Sequence, residues 1–348
     1  MSKVLRFEIT DKCNLNCEMC WSTNWKHEDM EMNTIKKIIE DFSRHEKNGI
    51  VVLTSREPLL SKNFESTLDL CTKLGLDIKI LTNGTLLNDY FCNIITSYNV
   101  SFAGISLHGN REKHDSIVNV KGAFQKTIDG IKKLNFYKQK NSKENLEIRI
   151  TSVISKDLIN SVDEIVNIAS MLNVDIRLQH IMWHSEETKI KNKFVLKQEF
   201  NYDDNIIDGF PSKCPIDVAE IKELIRIFKY KAKEKNVDLQ IYPNLTDAEL
   251  CEWYADKSDV NIQNQKKFCD HCSTSIRLRA NGKVSMCQYI DKEIGDLKVS
   301  NLDEVIYNNI EYKNICNKLE NGELYPICYR CCHCRNDLLV ENKKNYKI

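Results

Sequence analysis

Two hydrophobic periods alternate along the first half of the chain. Val4–Thr10 and Ile50-Val51-Val52-Leu53 have the length of strands, and the second is continuously apolar, as a strand buried on both faces would be. Between them Ile35, Ile38, Ile39 and Phe42 recur at helical spacing within Thr34–His45, which Asn33 caps and Gly49 stops. The pattern then repeats. A helix at Asn63–Leu74, stopped by Gly75, precedes a strand at Asp77–Thr82. Helices at Asn88–Ser97, Gly122–Phe136 and Ser161–Leu172 alternate with strands at Val100–Leu107, Leu146–Ile154 and Val174–Ile181. Six strand–helix units predict an α/β fold, a parallel sheet with outer helices that closes partly as a (βα)6 TIM-like barrel. In such barrels chemistry collects at the carboxyl ends of the strands.

The rhythm breaks after Trp183. His184–Asp208 is polar and without clear period, which predicts a loop or lid; a helix at Val218–Lys235 and a short strand at Val237–Tyr242 follow. The expected organisation is a barrel over 1–184, a connecting lid segment with one helix over 185–260, and a cysteine-dense module over 261–348.

Lys+Arg and Asp+Glu both total 50, so the formal charge is zero, against a nucleic-acid or membrane-surface footprint. The first residues lack the apolar core of a signal peptide, and no apolar run approaches a membrane span, so a cytoplasmic protein is expected. Fifteen cysteines without a secretion signal suggest metal rather than disulfides. Three fall at 13–20 and seven, Cys316 aside, between Cys269 and Cys334.

The first group, Asp11-Lys12-Cys13-Asn14-Leu15-Asn16-Cys17-Glu18-Met19-Cys20-Trp21, has the spacing Cys-x3-Cys-x2-Cys and follows the first strand, so it lies at the barrel mouth. A closed structural zinc site takes four ligands, and a 4Fe–4S cubane is usually capped by four thiolates. Three thiolates leave one iron open, which separates a reactive site from a structural one. Three plain thiols, or a zinc site completed by His27, are the alternatives.

This spacing resembles the signature of the radical SAM superfamily. The resemblance implies a 4Fe–4S cluster on Cys13, Cys17 and Cys20 whose open iron binds the amino and carboxylate groups of S-adenosylmethionine (SAM). Reductive cleavage would then give a 5′-deoxyadenosyl radical that abstracts hydrogen from substrate carbon, with electrons from an external one-electron donor such as flavodoxin or ferredoxin. Thr54-Ser55-Arg56-Glu57-Pro58 follows the second strand where the family commonly has Gly-Gly-Glu-Pro. Glu57 matches the glutamate expected on the SAM ammonium, whereas Ser55 and Arg56 put side chains where glycine gives close backbone access. Arg56 would pair with Glu57 or clamp a substrate anion. Met19 stands where an aromatic residue usually touches adenine, a task Met or Trp21 could take.

Leu81-Thr82-Asn83-Gly84 resembles the family's Thr-Asn-Gly turn, with Asn83 a SAM contact or simply turn chemistry. Gly104-Ile105-Ser106-Leu107-His108-Gly109 resembles the Ile-Ser-Leu-Asp-Gly region of radical SAM enzymes that carry an extra cluster domain. There Ser106 would contact SAM and His108 would be a catalytic or substrate-binding candidate. His180 and His184 at the sixth strand end are candidates for substrate contact. Cys214, in Pro211-Ser212-Lys213-Cys214-Pro215, is a candidate hydrogen-atom donor or a plain free cysteine.

Near the end, Cys269-Asp270-His271-Cys272 is followed by nine residues, Gly282, four residues and Cys287, then Ile294-Gly295-Asp296-Leu297 and Cys328-Tyr329-Arg330-Cys331-Cys332-His333-Cys334. Asn281-Gly282 signals a hairpin that brings Cys272 and Cys287 together. The order resembles the SPASM and shorter twitch domains of radical SAM enzymes. It implies at least one auxiliary 4Fe–4S cluster on Cys272, Cys287 and a terminal Cys-x2-Cys pair, either Cys328/Cys331 or Cys331/Cys334. Cys269 is available for a second cluster, and a zinc ribbon is the alternative.

An auxiliary cluster gives a carbon radical somewhere to leave an electron, which favours net oxidation. The leading expectation is therefore a radical SAM oxidoreductase or maturase acting by oxidation or rearrangement on a small polar metabolite: a sugar, aminocyclitol or nucleoside-like compound. A peptide-modifying maturase is the near alternative, placed second because the chain opens directly on the barrel without a leader-binding domain. A non-catalytic iron–sulfur redox protein is the third, motivated by Ser55-Arg56.

Overall fold

The computed structural model describes residues 3–20, 28–214, 216–255 and 267–336. In chain order the elements are β1 Val4–Phe7, α1 Met32–His45, β2 Ile50–Leu53, α2 Phe64–Lys73, β3 Asp77–Thr82, α3 Asp89–Ser97, β4 Val100–Ser106, α4 Arg111–Ile117, α5 Ala123–Lys140, β5 Glu147–Val153, α6 Val162–Leu172 and β6 Asp175–Gln179. They continue as α7 Glu186–Phe200, α8 Val218–Glu234, β7 Leu239–Tyr242, α9 Asp247–Tyr254, β8 Lys267–Phe268, α10 His271–Thr274, β9 Ser275–Leu278, β10 Lys283–Ser285, β11 Glu293–Asp296, α11 Ile310–Glu320 and β12 Arg335–Asn336. Ten strands form one sheet in the order β11-β10-β9-β1-β2-β3-β4-β5-β6-β7. From β9 through β7 every neighbour is parallel, whereas β10 and β11 run antiparallel. This is the expected α/β partial barrel, extended by β7 on one side and by the cysteine-dense module's strands on the other.

Alternation along each strand sorts side chains to two faces. On β1, Leu5 and Phe7 are fully buried against the helical layer with Ile35, Ile38, Ile39 and Phe42 of α1. Arg6 and Glu8 have the opposite parity. Arg6 lies level with Arg277 of β9, and Arg277 Nη2 donates to the Glu8 carboxylate. Arg279 Nη1 lies 3.0 Å from the same carboxylate. Burial alone would raise the Glu8 pKa; the two guanidiniums outweigh it and hold the group below its usual value.

The loop or lid expected over His184–Asp208, and the single helix expected over 185–260, are corrected: α7, α8 and α9 all form there. Helix α7 escapes a hydrophobic reading because its buried face is largely polar: Thr188, Lys189 and Asn192 beside Leu196. Lys189 Nζ donates to the Phe210 carbonyl at 2.7 Å and to Ser212 Oγ at 2.8 Å. Asn192 donates to Asp204 at 2.8 Å and accepts the Ile327 amide at 3.1 Å. Ser185 caps the helix by accepting the Thr188 amide.

Breaking a buried pair from one side strands the other charge, which typically costs about 3–5 kcal/mol. Glu8→Ala is expected to lose about that much in denaturant unfolding of the metal-free protein; a loss below roughly 1 kcal/mol would show that the pair does not hold β9 to β1.

Candidate active site

The cysteine loop leaves β1 at the strand's carboxyl end and is held on three sides. Lys12 is paired with Asp29 at 2.6 Å, and its carbonyl accepts the Glu57 amide at 3.1 Å. The Asn16 and Glu18 amides donate to the Val118 and Ile117 carbonyls at the end of α4. Leu15 anchors a small apolar cluster with Ile117, Val118 and Ala123, against which Cys13, Cys17 and Met19 pack. The three thiols are half-buried and form no disulfide. Burial pushes Cys17 up to about 12, with the Cys13 and Cys20 thiols adding to it. Thiols that oppose each other's ionisation suit a cationic metal core, which replaces their protons. Trp21 and His27 lie outside the described residues.

Glu57 sits beside this loop, fully buried. Its Oε1 accepts the Leu59 amide at 3.2 Å and the Thr82 hydroxyl at 2.7 Å, while Oε2 accepts the Asn83 amide at 2.8 Å. Burial nevertheless pushes it up to about 7. Such a carboxylate gains from a bound ammonium. Asn83 spends its side chain locally: Oδ1 accepts the Thr85 amide at 2.9 Å, and Nδ2 donates to Asn14 Oδ1 at 2.8 Å, tying the third-strand turn to the cysteine loop. Gly84 follows at φ +78°, where an added Cβ would lie 2.7 Å from Ile105.

Ser106 ends β4 level with Thr151 of β5. His108 is buried, its Nδ1 accepts the Val153 amide at 3.4 Å, and its backbone amide donates to His114 Nδ1. Burial, then His114, pulls its pKa down to about 3, so the ring is neutral. Cys214 lies beside Tyr254, its thiol donating to the Ile216 carbonyl at 3.0 Å. His180 bonds the Tyr254 hydroxyl at 2.8 Å. His184 is fully buried beside Phe210 and has no hydrogen-bond partner on either ring nitrogen.

The later cysteines surround a second pocket, lined by Cys269, Cys272, Cys287, Cys328 and Cys331 with His271 and His333. The hairpin signalled by Asn281-Gly282 forms, with Leu278 opposite Val284, and the Cys272 and Cys287 thiols hydrogen-bond each other. Cys334 hydrogen-bonds Cys269, Cys328 and Cys331. Among the described residues no three His, Cys, Asp or Glu side chains are placed to hold a metal ion. A cubane does not need such convergence, because each thiolate meets a different iron. The cysteine donors, drawn from three segments around one pocket, fit an iron–sulfur core.

Four arginines on the sheet are residues the sequence did not single out. Arg6, Arg149, Arg177 and Arg277 project from β1, β5, β6 and β9, and Arg6 and Arg177 both lie close to Tyr242 and Cys332. Arg6 Nε, Arg149 Nε and Arg277 Nε and Nη1 are buried without a hydrogen-bond partner. Burial, then Arg149, pulls Arg177 down to about 10. Tyr289 contacts the Cys332 thiol at 3.4 Å. The signal was present in the sequence as Arg at strand positions of inward parity, but strand parity alone names no partner.

The fold and site define a class: a parallel α/β partial barrel with three cysteine thiols and a buried carboxylate at its mouth. Within it, residues 7–146 match the model of the Radical SAM superfamily, so the chain carries a radical SAM domain, which implies a 4Fe–4S cluster and SAM. The chain is 24% identical over 322 residues to GTP 3′,8-cyclase of Clostridium botulinum, covering 87% of this chain and 89% of that protein. It is 26% identical over 228 residues to the tungsten-containing aldehyde ferredoxin oxidoreductase cofactor-modifying protein of Pyrococcus furiosus, covering 65% and 60%. It also matches an uncharacterized protein of Methanocaldococcus jannaschii, and it spans 57% of that relative's length. SuiB of Streptococcus suis shares the fold with TM-score 0.65 at 14% identity over 95% of this chain and 72% of that one. So does anSMEcpe, solved with AdoMet and the Cp18Cys peptide, with TM-score 0.62 at 14% identity over 94% and 85%. No described helix is long and apolar enough to cross a membrane.

A raised Glu57 pKa carries a definite sign. Ionised Glu57 is penalised in the fold, so this group favours folding below about pH 4.5 and loses that contribution as pH rises through about 7. The stability of metal-free Glu57→Gln relative to wild type is therefore expected to climb between pH 4.5 and 8, by at most roughly 3 kcal/mol in denaturant unfolding. A difference that does not vary with pH would contradict the burial of this carboxylate.

Proposed function

We propose that this protein is a radical SAM enzyme acting on a small, anionic, polar metabolite of the nucleotide-like kind, with an auxiliary iron–sulfur cluster in its C-terminal module. When bound, a 4Fe–4S cluster with one open iron supplies the electron that cleaves SAM to the 5′-deoxyadenosyl radical, which abstracts hydrogen from substrate carbon. Cys13, Cys17 and Cys20 would hold it, and their loop is braced by Lys12–Asp29 and by the carbonyls at the end of α4. Glu57, dry and poised near neutrality, would bind the SAM ammonium, with Met19 and Ser106 at the adenosine side and Asn83 fixing the turn below. Cys272, Cys287 and terminal thiols around the second pocket would hold the auxiliary cluster.

The observation that carries the substrate class is the set of buried guanidiniums. Arg6 and Arg277 lie side by side on neighbouring strands with N–H groups unpaired, and buried donors without partners are costly unless a ligand satisfies them. Arginine's fork suits phosphate and carboxylate oxygens. The likeness over most of the chain to a GTP 3′,8-cyclase points the same way. A peptide-modifying role is the second reading; what favours it is the fold shared with anSMEcpe, whose structure holds a peptide. His108 and Cys214 would then act on whichever substrate enters, His108 as a neutral hydrogen-bonding group and Cys214 as a thiol donor.

Anaerobically reconstituted protein given dithionite and SAM is expected to release 5′-deoxyadenosine. Cys17→Ala abolishes it, and Cys287→Ala leaves SAM cleavage uncoupled from turnover; no product from wild type with candidate substrates present would sink the enzyme reading. Inorganic triphosphate is expected to raise the melting temperature of wild type but not of Arg6→Ala, since only a ligand of the folded state stabilises it. Equal shifts in the two proteins would count against the anion site.

A further inference from the structure

Ser55 and Arg56 stand at the end of β2, where two small residues were expected, and each makes a contact that a glycine could not. Ser55 has φ +89°, in the left-handed region that side chains avoid, at a cost of about 1–3 kcal/mol unless neighbours hold it. Arg277 holds it by donating Nη2 to Ser55 Oγ. The same guanidinium is fixed by Glu8, so the turn is pinned from β1 and β9 together. From this turn Arg56 reaches the cysteine loop, and its Nη1 donates to Cys20 Sγ at 4.0 Å. The two oxygens of neighbouring Glu57 are taken by Leu59, Thr82 and Asn83, so the guanidinium is directed at sulfur while the carboxylate faces the third strand.

We propose that Arg56 tunes the redox potential of the iron–sulfur cluster that Cys13, Cys17 and Cys20 would hold. The inference rests on the radical SAM reading above. Net charge and hydrogen bonds to ligand sulfur are two of the levers that set such potentials. Reduction adds one electron, taken from the external one-electron donor, and makes the core more negative. A guanidinium keeps its proton at any working pH, so no proton moves with that electron. A fixed cation with an N–H on a ligand sulfur stabilises the reduced state more than the oxidised one and raises the potential. The protein would thereby be loaded with an electron by a weaker donor, with less driving force left for cleaving SAM.

The test is an anaerobic, SAM-free redox titration of the reconstituted full-length protein, following by EPR the cluster signal that Cys17→Ala lacks. Wild type is compared with Arg56→Lys, Arg56→Gln and Arg56→Gly at matched iron and sulfide content. Arg56→Gln keeps a shorter amide donor but not the charge, and carries the test if Arg56→Gly fails to load. Loss of the charge is expected to shift the one-electron equilibrium at least tenfold toward the oxidised state, about 59 mV more negative, with Arg56→Lys between the two. Arg56→Gln at the wild-type potential overturns the proposal. Wild type that cleaves SAM while Arg56→Gln matches its potential sinks this inference alone. Shifted variants in a protein that cleaves no SAM sink the functional reading and keep this one.

Discussion

The parallel pairing of β9 with β1, locked by the buried Glu8–Arg277 ion pair, is the constraint on which the rest of the structure depends. It makes the cysteine-dense module part of the barrel's own sheet. Moving an acid and a guanidinium out of water is costly and is recovered only where geometry is fixed and further bonds are made. Here Arg279 shares the carboxylate and Ser55 takes another Arg277 N–H. One ion pair therefore reaches the first strand, the turn after the second strand and the hairpin of the later cysteines. Both cysteine groups inherit their positions from it.

Cationic side chains gather beside the later cysteines. Arg6 and Arg177 both lie close to Tyr242 and Cys332, and the apparent neutrality of the whole chain conceals this, since 50 basic and 50 acidic residues cancel only in the sum. Buried charge acts at a dielectric far below that of water, so a few buried guanidiniums matter more than the surface balance. At the mouth the sign reverses: Glu57 is a buried acid short of a cation. An anionic substrate below and an ammonium-bearing cofactor above would each meet the complementary charge.

Much of this was legible in the chain. The strand–helix alternation, the hairpin at Asn281-Gly282 and the meeting of Cys272 with Cys287 all follow from local signals, and all are found. What stayed hidden depends on distant partners. Helix α7 has no apolar stripe because Lys189 and Asn192 are buried against carbonyls and carboxylates that lie elsewhere in the sequence. The joining of β9 to β1 links residues some 270 positions apart, and a short alternating strand does not say which edge it will extend. Cys332 read as a spare beside the expected ligands; its place near Arg6 and Tyr289 comes from the fold of the terminal turn. Ser55 and Arg56 read as departures from a pattern, with Arg56 expected on Glu57 or a substrate anion; the contacts found are Ser55 with Arg277 and Arg56 with Cys20.

The most direct test of this arrangement is the EPR spectrum of the dithionite-reduced, reconstituted protein with and without SAM, recorded for wild type, Cys17→Ala and Cys287→Ala. SAM is expected to change the signal that depends on Cys17 and to leave unchanged the signal that depends on Cys287. A Cys17-dependent signal untouched by saturating SAM, or a SAM response that survives in Cys17→Ala, would contradict the assignment of the open site to the barrel mouth.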